Sequence, residues 1–316
     1  MASLNRRLLL LAAAAIPTAS VAARPVRRAA PKPVDPESQE PADPGQTPIG
    51  PVDTAARYAI IVDFNTGVTL FDKQADEEMT PSSMTKLMTA YIVYGKLKSG
   101  QLNFDQSLPV SERAWRMGGS KMFVQIGTSV RVEDLVRGMI VQSGNDACIV
   151  LAEGIAGSEE QFVEMMNAKA KEMGLTKTNF RNCTGWPDPG HVMSARDIAT
   201  LAARLIRDFP EYYHFDSERS FKYNNIEQAN RNPLVQKGLA DGLKTGHTDE
   251  GGYGLVASAQ RGSRRIILVV NGLTSMHQRG DESERLLEWA FREFEDVTLF
   301  TATDVVDQAP VWLGAT

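Results

Sequence analysis

The strongest constraint on the fold is that two β-hairpin patterns stand far apart in the chain, with helical patterns between them. Tyr58 to Asp63 (YAIIVD) is an apolar, β-branched run, Asn65-Thr66-Gly67 turns, and Val68 to Phe71 follows. Tyr253 to Ala259 and Arg265 to Asn271 read as a second hairpin, joined through Gln260 to Arg264. Between them, Thr80 as N-cap and Pro81 at the first helical position open a helix with no breaker until Gly95. Met84, Leu87, Met88, Tyr91 and Ile92 supply its apolar stripe. Val132 to Val141, Asp146 to Ile155, a helix capped by Ser158 and Gln161 that ends at Gly174, and Ser194 to Arg207 follow. Arg279 to Phe294 is a last helix. Strands at both ends and helices in the middle predict an α+β fold with an antiparallel sheet built from both hairpins.

The first fifty residues read differently. Arg6 and Arg7, the apolar run Leu8 to Ile16 and the small residues Ser20-Val21-Ala22 have the order of an export signal over 1–22. The apolar run is too short to span a bilayer comfortably. The segment 23–53 carries Pro25, Pro31, Pro33, Pro36, Pro41, Pro44, Pro48 and Pro51 and reads as a disordered linker. The folded body is expected over 54–298. An exported location follows, either the periplasm or the outer face of the cytoplasmic membrane. There Cys148 and Cys183 could pair; their apolar surroundings favour two buried free thiols. A net charge of −5 without a Lys/Arg-rich run leaves no electrostatic footprint for nucleic acid. The four histidines lack metal-ligand spacing and no nucleotide-binding glycine pattern occurs, so neither metal nor other cofactor is expected.

Three short elements carry the chemistry: Ser83-Met84-Thr85-Lys86, Ser143-Gly144-Asn145 and Lys244-Thr245-Gly246. Three residues apart on a helix, Ser83 and Lys86 share a face. Ser83 in a first helical turn sits where free backbone N–H groups and the helix dipole favour an anion. Lys86 can act as a base only if burial or a second cation lowers its pKa, and Lys244 is the candidate cation. A glycine at 246 would let a substrate backbone lie against the strand edge. Taken singly, each element has a plain structural reading, a helix cap or a solvated lysine.

Together the three resemble the S-x-x-K, S-x-N and K-T-G set of penicillin-binding proteins and serine β-lactamases. Gly119 to Phe123, Ser143 to Asp146, Phe180 to Asp197, Asp241 to Thr248 and Gly252 to Ser258 look like the low-molecular-mass D-alanyl-D-alanine carboxypeptidases in particular. The resemblance implies a DD-peptidase/β-lactamase-like fold and acyl-enzyme formation on Ser83, with Lys86 as proton acceptor and Ser143 as proton relay. Asn145 and Lys244 would serve substrate, and the backbone N–H groups of Ser83 and His247 an oxyanion. Thr245 would bind the terminal carboxylate with Arg279 or Arg231, whose alternatives are a loop cap or a pair with Glu282. The implied partners are peptidoglycan stem peptides and, as covalent inhibitors, β-lactams. Val305 to Gly314 resembles the start of a C-terminal β-domain, truncated or absent over 299–316. Membrane attachment cannot be read from this chain.

A D,D-endopeptidase remains open, since the motifs do not set substrate length. A class A β-lactamase would need a water-activating glutamate, and Glu164 has the wrong spacing. A catalytically silent cell-wall binder fits poorly with Ser83, Lys86, Ser143 and Lys244 all in place.

Overall fold

The structure, a computed structural model, describes residues 43–299. In chain order it holds β1 (Tyr58–Asp63), β2 (Thr69–Lys73), a 3-10 turn (Ser82–Thr85), α1 (Lys86–Lys98), β3 (Ser107–Pro109) and α2 (Glu112–Arg116). β4 (Ser129–Arg131), α3 (Val132–Val141), α4 (Asn145–Ala156), α5 (Glu159–Glu172) and α6 (Ala195–Asp208) follow. The hairpin β5 (Ser220–Tyr223) and β6 (Ile226–Ala229) precedes α7 (Pro233–Lys237). β7 (Thr245–Thr248), β8 (Gly252–Arg261), β9 (Arg264–Leu273) and α8 (Met276–Glu293) close the described chain.

The two hairpins meet in one antiparallel sheet of order β2-β1-β9-β8-β7, with Ile60 opposite Val269 at the β1–β9 seam. Side chains alternate between faces along each strand. Ile60, Val256, Ile267 and Val269 join the core shared with α1 and α6. Ala59, Ile61, Leu255, Leu268 and Val270 pack with Leu286, Leu287 and Ala290 of α8. A sheet covered on both faces needs apolar residues at consecutive positions, which explains why YAIIV and IILVV do not alternate with polar residues.

Three boundaries differ from expectation. Thr80 does not cap a continuous helix; Pro81 precedes the 3-10 turn, with Ser82 at φ 51°, and α1 starts only at Lys86. β7 presses on this turn so closely that a Cβ at Gly246 would lie 2.9 Å from Ser82 Cβ. Second, α1 continues through Gly95 to Lys98. Third, α8 begins at Met276 because Ser275 Oγ accepts the Gln278 N–H at 3.0 Å, which places Arg279 in the first turn.

The linker reading of 23–53 is corrected over its last residues. Gly45 pairs with Val52, and Gln46 exchanges two backbone hydrogen bonds with Asp72 at 2.7 and 2.9 Å. This covers the β2 edge, which would otherwise expose unpaired backbone groups. Composition missed it because the docking uses the backbone. The export signal, the rest of the linker and Val305 to Gly314 lie outside the described residues. Among those described, no helix is long and apolar enough to cross a membrane.

One buried ion pair ties the hairpin ends together. Arg264 Nε donates to Asp63 Oδ2 at 2.9 Å, and Asp63 Oδ1 accepts the N–H groups of Asn65 and Thr66. Burial opposes the Asp63 charge, but the Thr66 and Arg264 hydrogen bonds win and hold its pKa below the ordinary value. Removing one partner of such a pair leaves an uncompensated charge. Asp63→Ala is therefore expected to lower stability by about 3–5 kcal/mol in urea unfolding, whereas a loss below about 1 kcal/mol would mark the pair as a surface-type contact.

Candidate active site

Lys86 is 1% exposed at the start of α1, while Ser83, one turn earlier, is half-buried and reachable. Lys86 Nζ lies 2.9 Å from Ser83 Oγ, and donates to Asn145 Oδ1 at 2.7 Å and to the Thr184 carbonyl at 2.6 Å. A neutral amine has two N–H bonds and one lone pair. An ammonium would donate to all three oxygens; in the neutral amine the two carbonyl-type acceptors would take both hydrogens and leave the lone pair for Ser83. Burial pushes the Lys86 pKa down and Arg231 acts in the same direction. Nearby Cys148 and Cys183 would oppose this only as thiolates, and burial drives Cys148 up to about 12 and Cys183 well up. Both are buried free thiols.

Lys244, 4% exposed, has a pKa driven well down by burial first, then by Lys86 and Arg231. Its Nζ finds one acceptor, its neighbour Thr245 O at 3.2 Å. Lys86 and Lys244 repel each other in the site, and Arg231 is a further cation that acts on both. Lys244 is itself pressed toward neutrality.

Ser143 occupies a left-handed conformation at φ 60°, and its buried Oγ has no partner among the described groups. Such strain persists only where the surroundings enforce it. Neither lysine hydrogen-bonds to it. Asn145 follows at the start of α4 with both ends of its amide engaged, Oδ1 by Lys86 and Nδ2 by Gly118 O at 2.9 Å. Asp146, not singled out by the motif, accepts the N–H groups of Met122, Phe123 and Val124 and so fixes the strip beside Asn145.

Two cavities flank Ser83. One, ≈ 420 Å³, is lined by Ser143, Thr245, Gly246, His247, Arg231 and Arg279 among others. The other, ≈ 250 Å³, adds Asn145, Thr184 and Trp186. A larger cavity, ≈ 690 Å³, contains Arg57, Glu78 and Asn271, is not lined by Ser83, and meets the first cavity at His247 and Tyr253. Arg279 is 5% exposed, with an unpartnered Nε. Burial and then the Arg231 charge lower its pKa to about 10, although Tyr253 pulls the other way. Arg231 Nη1 donates to Ser120 Oγ at 2.7 Å. Glu282 pairs with Arg285, so neither arginine has a carboxylate partner among the described residues. Exposed His247 stacks on Tyr253 at 3.9 Å.

All ten candidate residues therefore converge on one cleft. Sequence reasoning missed Thr184, whose contribution is a backbone carbonyl that residue type cannot signal, and Ser120, Trp186 and Tyr253, which lie in the family-like stretches without a distinguishing pattern.

Residues 44–275 match the family model described as D-alanyl-D-alanine carboxypeptidase, peptidase S11. The chain belongs to that family. The D-alanyl-D-alanine carboxypeptidase DacC of Escherichia coli (strain K12) is 43% identical over 267 residues, which are 82% of this chain and 67% of that relative. Penicillin binding protein 6B from Escherichia coli is 40% identical with a TM-score of 0.78, covering 83% of this chain and 86% of that chain. Penicillin-binding protein D2 from Listeria monocytogenes, in its ampicillin-bound form, is 29% identical with a TM-score of 0.69, over 76% of this chain and 98% of that one. The chain is thus a serine-type D-Ala-D-Ala carboxypeptidase, a hydrolase with the DD-peptidase fold. A β-lactamase reading is not favoured: Glu164 is exposed on α5 and lines neither cavity beside Ser83.

For a family enzyme whose base must be neutral, the lysine pKa values are the direct readout. In lysines labelled at Cε, Lys86 and Lys244 are expected to titrate below the ordinary value of about 10.4, each signal being assigned by its alanine variant. Ordinary titration of both would contradict a neutral buried amine beside Ser83.

Proposed function

We propose that this chain removes the terminal D-alanine from peptidoglycan stem peptides through an acyl-enzyme on Ser83. The observation that carries the reading is the buried Lys86 Nζ, 2.9 Å from Ser83 Oγ and held there by Asn145 Oδ1 and the Thr184 carbonyl. Ser83 attacks the D-Ala-D-Ala carbonyl and passes its proton to Lys86. The backbone N–H groups of Ser83 and His247 hold the oxyanion. The unpartnered Ser143 hydroxyl relays the proton from Lys86 to the leaving amine. Asn145 borders the acyl side, and Gly246 lets the substrate backbone approach β7. Water then releases the shortened peptide. A β-lactam enters as a strained amide and acylates the same serine.

The free carboxylate of the leaving residue is read by the Thr245 hydroxyl with Arg279, and Arg231 adds charge. Two guanidinium groups without carboxylate partners in one cavity favour a free terminal carboxylate, and with it carboxypeptidase over endopeptidase action. The catalytic body is read as 54–298 with 43–53 docked on its edge, and the protein as exported to the periplasm or the outer face of the cytoplasmic membrane.

Incubation with a β-lactam should leave a covalent adduct on the peptide containing Ser83, absent in Ser83→Ala. An adduct on Ser143 would overturn the assignment. Lys86→Arg, which cannot deprotonate, should fold yet acylate orders of magnitude more slowly.

Carboxylate reading is tested on the substrate. A buried charge-assisted contact is worth about 1.5–3 kcal/mol, or roughly ten- to a hundredfold in rate. Arg279→Ala should slow hydrolysis of a D-Ala-D-Ala peptide by about that factor. Amidating the peptide C-terminus should slow the wild type similarly and cost the variant little more. Equal losses in both enzymes would move the role to Arg231 or Thr245.

A further inference from the structure

The first turn of α1, on the face that carries Lys86, is bound by one loop. Lys86 donates to Thr184 O at 2.6 Å, and Thr89 Oγ1 donates to Cys183 O at 2.7 Å. Just before Lys86, in the 3-10 turn, Thr85 Oγ1 lies 2.8 Å from His191 Nε2 of the same loop. Thr85 stands between Ser83 and Lys86 in the 3-10 turn and is fully buried; His191 is 3% exposed. The tautomer follows from the other ring nitrogen. His191 Nδ1 lies 3.2 Å from the Arg181 backbone nitrogen and can only accept its N–H. The ring proton is therefore on Nε2 and is donated to Thr85. Phe180 packs edge-on against the ring at 5.8 Å, which fixes its plane.

We propose that His191, in its neutral Nε2–H form, is a positioning residue that holds the Ser83–Lys86 turn in register with the 182–191 loop. The inference rests on Ser83 being the nucleophile. A protonated ring would bring an Nδ1–H against the Arg181 N–H and so break the acceptor contact. It would also place a cation near Lys86. The groups that bear on the ring are consistent with this: burial favours the neutral form first, Lys86 and Arg181 add to that, and only Asp188 opposes it. The His191 pKa is lowered to about 4. For a histidine with a depressed folded value, the hold on Thr85 is complete above the unfolded pKa of about 6.5 and is lost as pH falls through about 4.

The test is the rate of acylation by a fluorescent penicillin, with the adduct mapped to Ser83, measured after brief pH jumps from neutral to acid. If Lys86 is the base, its protonation alone gives the logarithm of the rate a slope of one. With His191 also titrating, the wild-type limb should steepen below about pH 4. His191→Gln keeps a donor toward Thr85 but cannot titrate; it should acylate near the wild-type rate at neutral pH and keep a slope of one. His191→Phe, checked for folding by circular dichroism, should lose about ten- to a hundredfold, and Thr85→Val should lose no more when added to it. A His191→Gln limb that steepens as the wild type does would overturn the proposal, and so would a folded His191→Phe acylating at the wild-type rate. If His191→Phe does not fold, the Gln profile decides. A wild type not acylated on Ser83 would instead remove the reading on which the proposal rests.

Discussion

The Lys86 amine depends on three segments that are remote in sequence. Ser83 comes from the turn before α1, Asn145 from the start of α4, and Thr184 from the loop after α5. A buried ammonium is costly, and burial with Arg231 favours the neutral amine although the Asp146 charge pulls the other way. Around it the fold is arranged to keep water out. β7 closes on the turn with Gly246, and Asp146 locks the 122–124 strip beside Asn145. The nucleophile alone of this group stays half-open to the cleft. One constraint, a buried amine with three oxygen neighbours, therefore ties together the turn, the helix start and the loop.

Across the cleft the electrostatic logic reverses. Arg264 is buried with Asp63 as partner and serves the fold. Arg279 is buried with no carboxylate, carries an unpartnered Nε, and sits in the first turn of α8, where the helix dipole disfavours a cation. The fold offers it the Arg231 carbonyl and the Tyr253 ring face, neither of which answers the charge in full. An anionic ligand would, since it supplies the missing acceptor and relieves the repulsion with Arg231. The same contrast separates Ser143, strained and unpartnered, from Ser158 and Ser194, which cap α5 and α6 without strain. Local disadvantages of this kind are expected at sites shaped for a ligand.

Much of this was legible from residue order. The runs YAIIVD and IILVV announced strands, Ser158 and Ser194 announced helix starts, and three short motifs named the serines, the lysines and the strand edge. Local signals suffice there because each depends on neighbours a few residues away. What sequence alone could not decide is how the distant segments meet. Thr80 and Pro81 have the chemistry of a helix start, yet packing of β7 against Ser82 goes with a 3-10 turn in its place. Lys244 reads as a cation, yet burial presses it toward neutrality, and Arg231 is a further charge beside both lysines. Residues 43–53 look structureless because they dock through backbone pairing with Asp72, to which composition is blind. The third ligand of the Lys86 amine is a carbonyl, which every residue possesses. Sequence fixes which groups are available; only the tertiary structure decides their protonation and their partners, because burial and distance are properties of the assembled fold.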